Sequence, residues 1–254
     1  MNKHLILLTL AALPWITQAH DHIEIGLDTA TGSKLTVIAG QPGQLATYFP
    51  PGEIPSYDTQ SFPGGAFATV MTFSAFDNTP PPPGGAMVRI DPISVSGPAG
   101  GSFSFWEAGA ASPTWTRQAA WTSTPSDHPS LSASEDGTGY GHIHGRVFSV
   151  DHAGVYDVTF QAVDSAGHYA AGDPFVIRFT AVPPPQLSIS AQSGNLNLSF
   201  TSRANLSYDV QSSTTLQTGS WTTIGTLDGT GGTLEFSEPL NNRPRIFFRL
   251  VEYQ

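Results

Sequence analysis

The chain has 254 residues, with 10 Lys+Arg against 20 Asp+Glu, a formal charge of −10, and no cysteine. An acidic, lysine-poor surface excludes nucleic acid and anionic membranes as natural partners. Without cysteine there are no disulfides and no thiolate zinc sites of the finger type, so any metal must be held by nitrogen and oxygen.

The chain opens on Lys3, an apolar stretch over residues 5–16 and the small-x-small run Thr17-Gln18-Ala19. This pattern reads as an export signal over residues 1–19, too short to span a membrane comfortably. The expected product is exported to the periplasm, the exterior or the cell surface, with no transmembrane span once the signal is removed. Cleavage after Ala19 makes His20 the new N-terminus and leaves nine Lys+Arg against twenty Asp+Glu, a charge of about −11. The freed α-amine is then a further nitrogen donor.

Beyond the signal the sequence reads as all-β. Charged residues are only 12%, while Gly (26) and Pro (21) punctuate short runs rich in Val, Ile, Phe, Tyr and Thr. In His20-Asp21-His22-Ile23-Glu24-Ile25, strand alternation sends Ile23 and Ile25 to one face and His20, His22 and Glu24 to the other. The Pro/Gly run at 79–85 is a loop inside the first domain. The aromatics Phe103, Phe105, Trp106, Trp115 and Trp121 are either core or a stacking face. His128 and His152 lie in loops and are expected to face solvent. In His142-Ile143-His144-Gly145-Arg146-Val147, Ile143 and Val147 are expected on the core face and the two histidines with Arg146 opposite. Residues 141–150 and 155–163 flank the turn Asp151-His152-Ala153-Gly154, which reads as a hairpin. Tyr156, Val158, Phe160 and Ala162 share one face, and Phe175, Ile177 and Phe179 continue the pattern.

The run Pro183-Pro184-Pro185-Gln186 cannot feed a sheet ladder and marks a stiff linker. The expected organisation is a β-sandwich domain over 20–182, a linker over 183–186, and a smaller immunoglobulin- or fibronectin-like sandwich over 187–254. Candidate strands in the latter are 187–191, 196–201, 208–212, 222–227, 233–236 and 246–251.

Four of the eight histidines fall in the two His-x-His pairs, each pair pointing away from its own apolar stripe. Neutral imidazole suits zinc and copper, and two such strands side by side bring four rings together. The expected ligands are His20, His22, His142 and His144, with His168 a fifth ligand or a supporting contact. Zinc is the expected ion and copper the second, through an N-terminal chelate or a two-residue brace at His20. Occupancy should fall in acid, because imidazole titrates near about 6.5 in the unperturbed side chain and its protonated form cannot ligate. No G-x-S-x-G elbow, phosphate loop, dinucleotide fingerprint or H-E-x-x-H helix is present, and Glu135-Asp136 sits in a Ser/Gly-rich loop. The chain therefore reads as a binding protein and not an enzyme. The competing reading is a structural or adhesive surface protein that holds glycan or protein through the aromatic face.

Gly97-Pro98-Ala99-Gly100-Gly101-Ser102-Phe103-Ser104-Phe105-Trp106, followed by Gly141-His142-Ile143-His144 and then Phe148, Gly154, Tyr156 and Val158, resembles the bacterial surface-anchored protein domain. The opening His20-Asp21-His22-Ile23-Glu24-Ile25-Gly26 is similar to that of exported, zinc-repressor-controlled proteins. The resemblance spans roughly residues 20–181 and implies capture of a divalent metal outside the cytoplasm, in company with an uptake transporter or a cell-surface component. It carries over His20, His22, His142 and His144 as ligands; His168 has no counterpart. This chain departs from the pattern in placing Gly145-Arg146 where an aromatic often follows the second pair, and no sorting motif precedes Gln254. Residues 208–213, Trp221 and residues 245–250 resemble a fibronectin-like module of exported bacterial proteins, which implies a spacer or adhesive unit.

Overall fold

The computed structural model describes residues 22–40, 43–54, 62–76, 85–133, 141–240 and 245–253. The expected signal over residues 1–19, the proline run at 80–83 and the Glu135-Asp136 pair lie outside the described residues. No helix occurs among those described. The first half supplies β1 (His22–Leu27), β2 (Leu35–Ala39), β3 (Gly43–Phe49), β4 (Ala66–Ala75), β5 (Val88–Ser96), β6 (Ser102–Trp106), β7 (Trp115–Gln118), β8 (Trp121–Thr122), β9 (Leu131–Ser132), β10 (Gly141–Val150), β11 (Gly154–Asp164) and β12 (Phe175–Val182). The second half supplies β13 (Ser188–Gln192), β14 (Asn195–Thr201), β15 (Ser207–Ser213), β16 (Thr222–Asp228), β17 (Thr233–Pro239) and β18 (Phe247–Tyr253).

The first twelve strands form one hydrogen-bonded sheet, β7-β6-β10-β4-β3-β12-β11-β5-β8, with β1 and β2 branching from β4 and β9 from β5. The sheet folds over on itself at β3, which pairs antiparallel with β4 through one end and parallel with β12 along its length. The result is a two-layer sandwich, as alternation in these strands requires. Rings from strands far apart in the sheet order meet between the layers: Phe103 and Phe179 at 4.8 Å, Phe73 and Phe160 at 5.8 Å. On β11, Tyr156, Val158, Phe160 and Ala162 are all buried, and the first three pair with the matching face of β12, Tyr156 opposite Phe179 and Phe160 opposite Phe175.

One connection differs from expectation. Strands β10 and β11 flank the turn at Asp151–Ala153 but do not pair; β10 bonds to β4 and β6, β11 to β5 and β12. The turn is an arch that carries the chain from one layer to the other. It stacks against a second arch at residues 97–101, between β5 and β6. Asp151 accepts the Ser102 N–H and the Ser102 hydroxyl, each at 2.7 Å, and Tyr156 fills the space over Gly97 and Gly101. A Cβ at Gly101 would lie 2.3 Å from the Tyr156 phenol oxygen, so the glycines are there for the ring. A hairpin needs only a tight turn, whereas this one is held by side chains distant in sequence, which periodicity does not reveal.

Residues 188–253 form two three-stranded sheets, β13-β14-β17 and β16-β15-β18, around Leu198, Phe200, Tyr208, Val210 and Leu250. The chain is thus all-β, a sandwich followed by a smaller one. The second meets the first directly: Val251 packs with Phe49, Phe62, Trp106 and Val147, and Arg249 pairs with Glu53.

Candidate metal centre

Strand β4 is the platform. Its odd positions, Phe67, Met71, Phe73 and Ala75, enter the main core, which leaves Ala68, Val70, Thr72 and Ser74 on the outer face. Near one end that face is covered by the cluster around Trp106 and Val251. At the other end β4 is flanked by His22 on one side and by His142 on the other. On one side β1 runs parallel, placing His22 beside Thr72 and Glu24 beside Ser74. On the other side β10 runs antiparallel, placing His142 beside Ser74. Ile23, Ile25 and Ile143 are buried on the core side, so His22 and His142 share the outer face over Thr72 and Ser74. Their ring centroids are 6.4 Å apart, with the planes tilted by 55°. Two imidazoles on one tetrahedral zinc sit roughly 5 Å apart, given Zn–N near 2.0–2.1 Å, so the separation here is somewhat wider than a shared ion requires.

The second pair contains a β-bulge. Ile143 lies opposite Phe73, but the next paired residue, Arg146, lies opposite Met71, so His144 and Gly145 together face Thr72. Gly145 has φ 45°, and its N–H donates to the Thr72 hydroxyl at 3.1 Å. The extra residue reverses the alternation. Val147 therefore points outward, into the cluster with Trp106 and Val251, and Arg146 lies on the Ile143 side, buried and paired with Glu107. This corrects the expected faces of both residues: a strict period of two cannot survive a glycine held at positive φ. We expect Gly145→Val to cost about 1–2 kcal/mol, because a β-branched residue resists that conformation. Denaturant unfolding checks it, and an unchanged midpoint would remove the bulge from the account.

The remaining expected ligands are placed as follows. His20 and the side chain of His144 lie outside the described residues. His168 sits in the turn after β11, where its N–H donates to Asp164 at 2.6 Å and its Nδ1 lies 3.6 Å from the same carboxylate. Burial would push the Asp164 carboxyl up, but N–H groups of Met87, Ala166, His168 and Tyr169 outweigh it and hold the group below its ordinary value. His152 is half exposed and bonded to Asp151. His128, expected in solvent, instead bonds a buried aspartate. Among the described residues no three His, Asp or Glu side chains gather closely enough to hold a metal ion.

No family model and no curated protein matches the chain. Among solved structures it is similar to a chain in the CsuC–CsuE chaperone–tip adhesion subunit pre-assembly complex from the archaic chaperone-usher Csu pili of Acinetobacter baumannii. The identity is 10%, the match covers 84% of this chain and 95% of that one, and the TM-score is 0.24. A likeness this loose carries no argument about function.

The aromatic face fares differently from the histidines. Phe103, Phe105, Trp106 and Trp115 are buried, Trp106 donating its indole N–H to Ser149, and only Trp121 is partly exposed, with Arg117 over its ring. Phe103, Phe105 and Trp115 fill the sandwich and Trp106 is covered in the cluster with Val251, so these four rings form no surface for stacking. No helix among the described residues is long and apolar enough to cross a membrane.

Sequence reasoning placed Glu24 on the histidine face but missed Thr72 and Ser74 beneath it. Both polar side chains are buried on the outer face of a largely apolar strand. That is the signal: two hydroxyls on one face of an apolar strand mark where something polar covers it.

Proposed function

We propose that this chain is an exported protein that captures or buffers zinc for an uptake system, with His22 and His142 as paired imidazoles and His20 and His144 as the next donors. The observation that supports it most is the placement of His22 and His142, remote in sequence, on one face of one strand, with rings 6.4 Å apart. The bulge adds support, since it keeps the His144 backbone beside Thr72, the residue that His22 flanks on the other side. Nitrogen donors without thiolates favour zinc or copper over calcium or magnesium. The delivery partner in this reading is a metal-uptake transporter or a cell-surface component.

The test is elemental analysis with zinc and copper titration of the chain beginning at His20. One zinc per chain, lost progressively on acidification as imidazoles protonate, is expected. A preference for copper that one extra N-terminal residue abolishes would replace this reading with N-terminal chelation. Absence of any tight metal would overturn both.

A further inference from the structure

A second constellation lies on the other layer. Strand β5 pairs with β8 at Ser94–Val95 and with β9 at Arg89–Ile90, and residues 123–130 bridge those two contacts. The bridge is fixed at several points. Ser123 N–H donates to the Ile93 carbonyl at 2.7 Å, Thr124 and Asp127 exchange backbone hydrogen bonds, and Trp121 donates its indole N–H to Asp127 at 2.7 Å. From this pinned turn His128 reaches back to β5, where its Nε2 lies 2.8 Å from Asp91 Oδ2. Its Nδ1 lies 2.6 Å from the Ser123 hydroxyl. Asp91 is 1% exposed, and Arg89 Nε stands 3.0 and 3.1 Å from its two oxygens.

We propose that Ser123 is a nucleophile, with His128 its general base and Asp91 the positioning residue, acting on small carboxylic esters. A buried carboxylate can only accept, so it fixes the Nε2–H tautomer of His128 and leaves the Nδ1 lone pair aimed at the Ser123 hydroxyl. The ring is used in the reverse sense from the familiar triad, in which the carboxylate faces Nδ1 and the serine Nε2, but the order of donor and acceptor is the same. Such constellations are recognised by geometry and role, and this one needs no sequence elbow. In the reaction Ser123 Oγ bonds to the ester carbonyl carbon as its proton passes to Nδ1. The ester C–O bond then breaks and the leaving alkoxide takes that proton. Water repeats the sequence on the acyl-serine, releasing the carboxylic acid and restoring the hydroxyl. The serine lies on a surface turn, which suits small or extended esters over buried ones.

The full chain, with a metal chelator present so that the outcome is independent of His22 and His142, is treated with a fluorophosphonate probe and the modified peptide is mapped by mass spectrometry. Ser123 is expected to be labelled well ahead of its exposed neighbour Ser126, at a rate that falls on acidification as the base becomes protonated. His128→Gln is expected to slow labelling about 100-fold or more, the usual contribution of a general base. Labelling of Ser123 no faster than of Ser126, or a rate indifferent to pH in the unaltered protein, would overturn the proposal. The pH profile needs no substitution, so a variant that fails to fold does not shield the idea.

Discussion

Replacing either His22 or His142 by alanine is expected to weaken zinc binding about 100-fold or more, with the double substitution abolishing it in a chelator-dye competition. Loss of a supporting contact alone costs 10–100-fold in typical metal sites, and these rings are proposed as ligands themselves. The two effects should be far from additive, because each ring holds the ion that the other needs. Two controls separate ligation from general damage. His152→Ala, on an exposed arch, should change nothing, and His168→Ala should leave zinc affinity within about twofold, since that ring faces Asp164. Zinc should also act as a staple. His22 lies on β1 and His142 on β10, with β4 between them, so an ion shared by both ties the first strand to the sheet. At about 1,000 times Kd a ligand that binds only the folded chain adds about 4 kcal/mol. Thermal unfolding should therefore move up by roughly 8–16 °C with zinc, and the H22A/H142A chain should not move at all. A double variant that binds zinc as tightly as the parent would end the assignment.

How much of this was legible before the structure depends on which residues are considered. The face at the start of β1 was readable outright: Ile23 and Ile25 are buried and His22 is exposed, as simple alternation requires. The shared alternation of Tyr156, Val158 and Phe160 with Phe175, Ile177 and Phe179 was equally plain, as were the small C-terminal strands, whose bounds moved by only a residue or a few. The failures share a cause. The bulge at His144 and Gly145 reverses the faces of Arg146 and Val147, and nothing in local propensity distinguishes a glycine that bulges from one that does not. The arch at Asp151–Ala153 looked like a hairpin because its length and residues suit one. Tyr156 and Ser102 decide otherwise, and they act through tertiary contacts. His128 was set aside as a loop histidine, yet its partner Asp91 announces itself: an acidic residue inside the strand Val-Arg-Ile-Asp-Pro-Ile must be buried or paired. That His22 and His142 could share a face was conceivable from sequence, but the strand that lies between them was not, since strand order is set by long-range pairing.

Removal of the Arg203 guanidinium should be among the most destabilising single changes in the chain. Glu252 on β18 is 1% exposed, and its carboxylate is held by Arg203 and by the Tyr208 hydroxyl at 2.5 Å. The same arginine donates to the Pro183 carbonyl at 2.7 Å, and the Glu252 backbone carbonyl accepts the Thr47 hydroxyl at 2.8 Å. Arg203 and Glu252 together therefore gather the proline run, the second sandwich and the β3 strand of the first. Arg203→Met keeps the stem but strands a buried negative charge, a loss of about 3–5 kcal/mol in comparable pairs. That corresponds to a fall of roughly 6–20 °C in the unfolding midpoint. Glu252→Gln, which keeps the shape and removes the charge, should cost less, and equal costs for the two would mean that packing and not charge dominates. The same cluster predicts an alkaline limit. Burial, with the hydrogen bond to Glu252 and its negative charge, pushes the Tyr208 phenol up to about 12. Burial and Asp209 do the same to Tyr253, also to about 12. Phenols that hold their protons more tightly when folded stabilise the fold fully below the unfolded value near 10. That stability drains away as the pH rises from about 10 through 12, the reverse of what a depressed carboxylate would give. Denaturant titrations across that range should show a steep decline, shallower in Tyr208→Phe, and a flat profile would show that neither phenol is held as described.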